Sequence, residues 1–254
     1  MKFQIKHILK TVMVVIVLVQ FTESYGQEKF SSYFFSANFF QIKEEDNLGM
    51  VFKGAQLKGG FIYDIPAGEN LIIYQNNIGI WLMFSRSMFS AQINFKPIDF
   101  LYGFNLSSKG SKFYLGPTLK AEYNLQFYPF LKGGQPFWFT NYSLGIGGNI
   151  EFNFNDQLFR IHLSSSLIGF VSRPQFDRDP YWMDFSILGI VKQAHQKFKF
   201  FTPGDLISTS FQLEYFPDLE DHAVSISYNL EYFGTNYKPK VAFIDQCIEV
   251  KLSL

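Results

Sequence analysis

The sequence contains a single cysteine, few charged residues and no net charge. Its 254 residues include 22 basic and 22 acidic residues, so 17% of the chain is charged, against about 25% in a typical soluble domain. The lone Cys247 excludes a disulfide framework and any multi-cysteine metal or iron–sulfur site. Because no basic surplus exists to neutralise phosphates, a nucleic-acid partner is not expected.

The chain also lacks an apolar run long enough for a membrane-spanning helix. Three lysines in the first ten residues precede an apolar segment at 12–19, and the small residues Ser24 and Gly26 follow. This order is typical of a secretory signal peptide, and the apolar segment is much shorter than the roughly 20 residues of a spanning helix. We therefore expect a cleaved signal peptide at 1–26 and a single mature domain at 27–254.

Aromatic residues are abundant, at 19% of the chain with 32 phenylalanines, and they occur in alternating segments. From Phe113 to Phe127 every odd position is apolar or proline, and the even positions are largely polar. This alternation predicts a strand with one face in an apolar medium and the other in a wet one. It is far longer than the usual soluble strand of about five or six residues. Similar alternation recurs at 142–154, 159–167, 207–215, 224–232 and 248–254.

These segments predict an all-β fold, an antiparallel up-and-down transmembrane β-barrel. At about 3.3 Å per residue and 45° tilt, Phe113 and Phe127 are roughly 33 Å apart along the membrane normal, enough for a lipid-facing band of about 25 Å with aromatic edges. A secreted soluble β-sandwich is the alternative. Strand length and a serine- and asparagine-rich inner face favour the barrel.

The turn signals between the segments predict about twelve strands, with ten as the alternative because the turn at 85–87 and the strand after Trp182 are weakly marked. The expected strands lie near 31–42, 50–64, 70–84, 87–96, 100–108, 111–130, 137–154, 157–171, 182–194, 206–216, 222–233 and 241–254. The count of twelve strands conflicts with the expected lengths of the periplasmic turns. Counted back from a periplasmic C-terminus, it places the long connection at 173–181 in the periplasm, where turns should be short.

The signal ending Ser24-Tyr25-Gly26 and the strands rich in tyrosine, phenylalanine and asparagine resemble those of Gram-negative outer-membrane β-barrel proteins, particularly from Bacteroidota. The resemblance implies an outer-membrane location, contact with outer-membrane lipid, and insertion by the barrel-assembly machinery. That machinery reads an aromatic residue at the last outward position of such barrels. This chain ends in Leu254 after Leu252, so the terminal signal is present in pattern but not in its last residue.

Polar residues on the inward parity are the candidate lumen-lining residues: Lys120, Glu122, Asn124, Glu151, Arg160, Glu214, Glu231, Glu249 and Lys251. Their mixed signs fit either a narrow selective pore or an interior filled by its own side chains. The expected function is therefore non-enzymatic: a porin-like narrow channel for small solutes, or an accessory subunit with partners in the cell envelope. No cofactor is expected.

His162 and Ser164 are the one pair that suggests catalysis. They resemble the His-x-Ser pair of outer-membrane phospholipases and lipid A deacylases, in which the histidine takes the hydroxyl proton. In those families the pair faces lipid. Here the alternation places Leu163 on the lipid side and turns His162 and Ser164 inward. In addition, Ser165 follows the serine at the position where those families commonly have an asparagine. A lipid or lipid A acyl hydrolase is thus the alternative function, and a wet interior pair is the simpler interpretation.

No metal site is predicted from the remaining polar motifs. Asp177-Arg178-Asp179 with Asp184 lacks the glycine and the terminal glutamate of a calcium loop. The histidines after the signal segment show no zinc-ligand spacing.

Overall fold

The structure is a computed structural model, and it describes residues 30–44, 50–86, 88–107, 111–129, 136–155, 157–173, 189, 192, 194–217, 224–237 and 240–253. The expected signal peptide at 1–26, the Asp177-Arg178-Asp179 motif, Asp184 and His222 lie outside the described residues. Within the described part of the chain, no helix is both long and apolar enough to cross a membrane.

The described residues form eleven strands: β1 (Phe30–Glu44), β2 (Val51–Ala67), β3 (Asn70–Ser85), β4 (Met88–Asn105), β5 (Ser111–Phe127), β6 (Pro136–Phe154), β7 (Gln157–Ser172), β8 (Lys199–Phe201), β9 (Leu206–Phe216), β10 (Val224–Thr235) and β11 (Val241–Ser253). Strands adjacent in sequence pair antiparallel, except β8 and β9, which both pair with β7, and β11 pairs with β1 to close the sheet. Closure leaves no unpaired sheet edge, so the backbone can be hydrogen-bonded all round the barrel.

The barrel wall has ten strands, because β8 and β9 together occupy a single place in it. Both pair antiparallel with β7, β8 along Gly169–Val171 and β9 along Leu158–Ser165. The residues between them, 202–205, interrupt this wall strand. The structure therefore has the alternative count of ten and not twelve.

Two of the twelve expected strands are not separate wall strands. The segments at 87–96 and 100–108 are both parts of β4, and the turn signal between them is a bulge where the register shifts between Phe95 and Ile98. In the expected strand at 182–194, the described residues Gly189, Lys192 and Ala194 have helical conformation. Helical residues cannot continue a strand pairing, so these three described residues are not part of a wall strand.

The ten-strand count removes the topology conflict. The start of β1, the end of β11 and the turns at 68–69 and 155–156 share one end of the barrel, called here the terminal end. The long connection at 173–198 joins β7 to β8 at the opposite end, called here the loop end. The longest connection therefore lies at the opposite end of the barrel from the start of β1 and the end of β11, as the short-turn rule for outer-membrane barrels requires.

Alternation along each strand separates the outer and inner faces. On β1, Tyr33, Phe35 and Phe39 are 50–70% exposed, whereas Ser36 and Asn38 between them are buried. Exposed apolar side chains of this kind occur on every wall strand except β5, including Leu57, Ile80, Phe104, Leu144, Leu163, Ile207, Ile226 and Ile248. On β5 the large outward apolar side chains are half-buried. The apolar outer face is therefore a continuous belt around the barrel.

Candidate functional site: the barrel interior

Aromatic and aliphatic side chains fill the loop end of the interior. This loop-end apolar layer consists of Phe40, Ile42, Phe52, Trp81, Met83, Tyr128, Phe139, Val171, Phe201, Leu206, Phe233, Val241 and Phe243, all buried. The ring centroids of Phe40 and Trp81 are 3.9 Å apart, and those of Phe233 and Phe243 are 4.9 Å apart. The expected lipid-facing band with aromatic edges does not account for these buried, inward-facing rings.

Charged side chains fill the terminal half of the interior, and Arg160 is their centre. Its Nη1 lies 2.5 Å from Asp64 Oδ2 and 3.8 Å from Glu214 Oε2, while Nη2 lies 2.8 Å from Glu151 Oε1. Lys251 Nζ lies 2.9 Å from the other oxygen of Glu214. The guanidinium of Arg160 and the ammonium of Lys251 thus pair with three carboxylates, each of which would be costly to bury without a partner.

Further ion pairs cross the interior nearer its middle. Lys58 Nζ lies 3.0 Å from Glu249 Oε1, with side chains 5% and 1% exposed. Lys96 pairs with Glu231 across the barrel, and Lys120 Nζ lies 3.6 Å from Asp99 Oδ2. The first two pairs join strands distant in the sequence and cross-link the wall from inside, whereas Lys120 and Asp99 are cross-strand neighbours on β5 and β4.

Between the charged half and the apolar layer lies a level of amide and hydroxyl side chains. Asn94 Nδ2 donates to Glu122 at 2.8 Å, and Tyr128 donates its hydroxyl to Gln126 at 2.9 Å. Gln92 is hydrogen-bonded to Asn124 within the same level. Amides that hydrogen-bond to one another tolerate burial between the two unlike halves.

Little space remains among these side chains. Of two cavities in the described interior, the larger has a volume of about 50 Å³ and is lined by residues that include Lys58, Asp99, Arg160, His162 and Gln212. The smaller, of about 10 Å³, is lined by residues that include Phe139, Val241 and Phe243. Since one water needs about 10–15 Å³ of such volume, the larger cavity holds only a few waters. The described interior is filled rather than open.

All nine candidate lumen residues lie in this interior. Glu122, Asn124, Glu214, Glu249 and Lys251 are at most 7% exposed. The side chains of Lys120, Glu151, Arg160 and Glu231 are 12–22% exposed, and each is in an ion pair.

Interior charges beyond these nine candidates include Lys58, Asp64, Lys96 and Asp99. The alternation of β2 carries the signal for the first two, because Lys58 and Asp64 share the parity of the buried Gln56. The other two flank the β4 bulge, and their turn-like composition concealed them.

His162 and Ser164 both face the interior, since Leu163 between them is 49% exposed on the outer wall. Ser164 Oγ accepts a hydrogen bond from Lys120 Nζ at 2.7 Å and lies 2.5 Å from Ser210 Oγ. An ammonium donor beside a serine offers its hydroxyl no base, and the barrel wall separates the pair from the outer face. The geometry therefore supplies hydrogen bonding and no nucleophile–base pair.

Comparison with known proteins gives structural similarities only. No protein-family model matches the sequence, and no curated protein matches it. Among solved structures, Neisserial surface protein A is 12% identical, with 89% of this chain and 99% of that chain covered and a TM-score of 0.36. Ail of Yersinia pestis is 12% identical in its complex with a heparin analogue (90% and 100% covered, TM-score 0.31). The beta domain of the Bordetella autotransporter BrkA is 7% identical (90% and 100% covered, TM-score 0.41). At these values the function has to be argued from the barrel itself.

Proposed function

We propose that the protein is a non-conducting β-barrel of a bacterial outer membrane that acts as an anchored accessory subunit of the cell envelope. The observation that carries the proposal is the filled interior. Paired charges occupy its terminal half and aromatic rings occupy its loop end. A channel needs a water-lined path, and a cavity of about 50 Å³ provides none.

The outer face supports the membrane location. Leu57 is 76% exposed, Phe35 70% and Ile248 62%, on three neighbouring strands. A belt of this kind round a whole barrel would be costly in water and matches the lipid-facing band of a spanning barrel. A closed sheet with an even number of wall strands is the form of bacterial outer-membrane barrels.

The arrangement of the connections supports an orientation. Outer-membrane barrels have short periplasmic turns and longer outer loops. The terminal end of this barrel carries the connections at 68–69, 106–110, 155–156 and 217–223, none longer than seven residues, whereas the loop end carries the long connection at 173–198. In the proposed orientation the loop end faces outward and presents the surface at which an envelope partner would bind.

Planar-bilayer recording of the purified mature chain tests the proposal. Wild-type protein is expected to give no stepwise current, and heat-modifiable migration on a gel serves as the control that the barrel is folded. A quadruple variant should conduct if it folds, because it truncates side chains in both parts of the interior: Trp81→Ala and Phe243→Ala in the apolar layer, and Lys58→Ala and Glu249→Ala among the charges. Stepwise current from folded wild-type protein would establish the narrow channel instead.

Lipid hydrolysis by His162 and Ser164 is the second candidate. Its support is the shared inward parity of the two residues beside the larger cavity, which His162 lines. Deacylation of lipid or lipid A by wild type, lost in Ser164→Ala, would establish it. We expect no activity in either protein, because Ser164 is hydrogen-bonded to Lys120.

A further inference from the structure

A segment of the long connection folds back over the outside of the barrel. Ser172, at the end of β7, donates its hydroxyl to the backbone carbonyl of Gln196. Ala121 and Thr140 have the outward parity of β5 and β6 but are only 5% and 1% exposed, whereas the outward Leu144 is 51% exposed. Their burial indicates that the wall over β5–β7 is covered near the loop end.

Three polar groups meet where the segment contacts the wall: Tyr123 of β5, Tyr142 of β6 and His195, named here the outer Tyr–His cluster. His195 Nε2 lies 2.8 Å from Tyr142 Oη and 3.1 Å from Tyr123 Oη, and the two hydroxyls are hydrogen-bonded to each other. Phe198 packs against the Tyr142 ring at 5.5 Å between centroids. All three residues of the cluster are half-buried.

The hydrogen atoms of the cluster suit it to an external acceptor. When Nε2 carries a hydrogen, it donates to one tyrosine oxygen, and one tyrosine hydroxyl donates to the other. The remaining hydroxyl hydrogen then has no acceptor within the cluster. In that tautomer it can be donated to an oxygen from outside the cluster, and phosphate oxygens are strong acceptors.

The height of the cluster on the wall matches the membrane surface. Tyr123 lies four residues from the end of β5 at Phe127 and Tyr142 six residues from the start of β6 at Pro136. At about 3.3 Å per residue and 45° tilt, these positions are roughly 9 and 14 Å below the strand ends. A 17-residue strand such as β5 overhangs a 25 Å lipid band by about 6 Å at each end. The backbone of Tyr123 and Tyr142 is then a few ångströms inside the edge of the band, from where the polar tips of the rings can reach the headgroup level.

The segment that completes the cluster is basic. Lys192 and Lys197 are exposed on either side of His195, and Lys199 begins β8. The described residues of the segment, 189, 192 and 194–201, include no acidic residue. Basic side chains at this depth attract anionic headgroups and can reach upward to them along their aliphatic stems.

We propose that the outer Tyr–His cluster, together with Lys192 and Lys197, binds the phosphate headgroup of an anionic lipid in the outer leaflet. The remaining tyrosine hydroxyl donates a hydrogen bond to a phosphate oxygen, His195 holds the two tyrosines in position, and the two lysines supply the opposite charge. The folded-back segment forms one wall of the site and β5 and β6 form the other. This inference rests on the proposed membrane location of the barrel.

Native mass spectrometry of the folded mature chain, released from zwitterionic detergent, tests the inference. Phosphatidic acid and phosphatidylcholine with identical acyl chains are offered at equal concentration, and we expect several-fold more phosphatidic acid to be retained. Tyr142→Phe combined with His195→Gln should abolish the preference while keeping the ring packing. Tyr228→Phe is the matched control, since Tyr228 is 41% exposed on the outer face of β10 and lies outside the cluster.

The outcomes separate this inference from the proposed function. Failure of the wild-type barrel to insert into liposomes and float with them would defeat the membrane location itself. Insertion with equal retention of both lipids, or a preference that survives the double substitution, would overturn the lipid site alone. Displacement of the lipid by millimolar inorganic phosphate would show that the site recognises free phosphate and not a membrane lipid. If the double variant does not fold, Tyr142→Phe and Lys192→Gln are measured singly, and each should reduce the preference.

Discussion

The two halves of the barrel interior exclude water by different kinds of interaction. In the terminal half, Arg160, Lys251 and Lys58 lie opposite carboxylates, and each pair joins two or more strands. In the loop-end apolar layer, rings such as Phe40 and Trp81 fill the space by stacking. Ion pairing stabilises the charged half, and close packing of side chains stabilises the apolar layer. The two halves should therefore respond differently to loss of one side chain.

The difference also follows from what lies outside each half. A charge inside the barrel is shielded from lipid by a single layer of strands, so it depends on its partner for stabilisation. An apolar ring inside the barrel meets no such penalty, and its contribution comes from close contact with its neighbours. We therefore expect ion pairing to control the stability of the charged half and side-chain packing to control that of the apolar layer.

Arg160→Ala is the change expected to have the largest effect on the charged half. It leaves Asp64 and Glu151 without their guanidinium partner, and removing one member of a buried ion pair costs about 3–5 kcal/mol. We expect the free energy of unfolding to fall by this amount, measured by urea titration in micelles with gel migration as the readout. Lys112→Ala is the matched control. Lys112 also contacts Glu151, but its side chain is 68% exposed, so at most about 1 kcal/mol should be lost. Equal losses in the two variants would contradict pairing as the basis of the charged half.

Trp81→Ala tests the apolar layer by removing volume. Trp81 is 2% exposed and stacks on Phe40, and truncating a buried aromatic side chain costs about 3–5 kcal/mol through lost transfer and the cavity left behind. The expected value is near the lower end, about 3 kcal/mol, because the flexible Met83 in the same layer can partly fill the gap. The measurement is the same urea titration. Phe84→Ala is the control on the outer face, where Phe84 is 59% exposed and lipid can occupy the vacated space. A loss for Phe84→Ala as large as that for Trp81→Ala would show that the layer is not close-packed.

The sequence predicts the barrel and its inward charges better than its strand count. Alternation on β5 separates Glu122 from Tyr123 without ambiguity, because a polar residue in a strand of this type belongs to the inner face. The count fails at β4, where Lys96 to Asp99 has the composition of a turn. There the neighbouring strand continues its pairing across the bulge, Asn77 with Lys96 and Gln75 with Asp99. Local composition cannot reveal pairing to a distant strand.

The apolar layer and the outer cluster could not be found by parity at all. Phe39 is 54% exposed and Phe40 is fully buried, yet the two residues are identical in type. An aromatic side chain is stable both against lipid and inside a packed interior, so its identity carries no information about the face it occupies. His195 joins Tyr123 and Tyr142 only because the segment before β8 folds back on the wall, and that contact has no local pattern.

The smallest expected effect is also the sharpest test of the comparison, because it removes a whole pair rather than one partner. Lys58 and Glu249 are both nearly inaccessible and lie 3.0 Å apart. Lys58→Met alone leaves a buried carboxylate and should cost about 3–5 kcal/mol. Lys58→Met combined with Glu249→Leu replaces the pair by side chains of similar volume, and such replacements are often neutral or stabilising. We therefore expect the double variant to unfold within about 1 kcal/mol of wild type, by the same titration. Losses that simply add in the double variant would mean that the two charges do not depend on each other, and that the charged half, like the apolar layer, is held by volume.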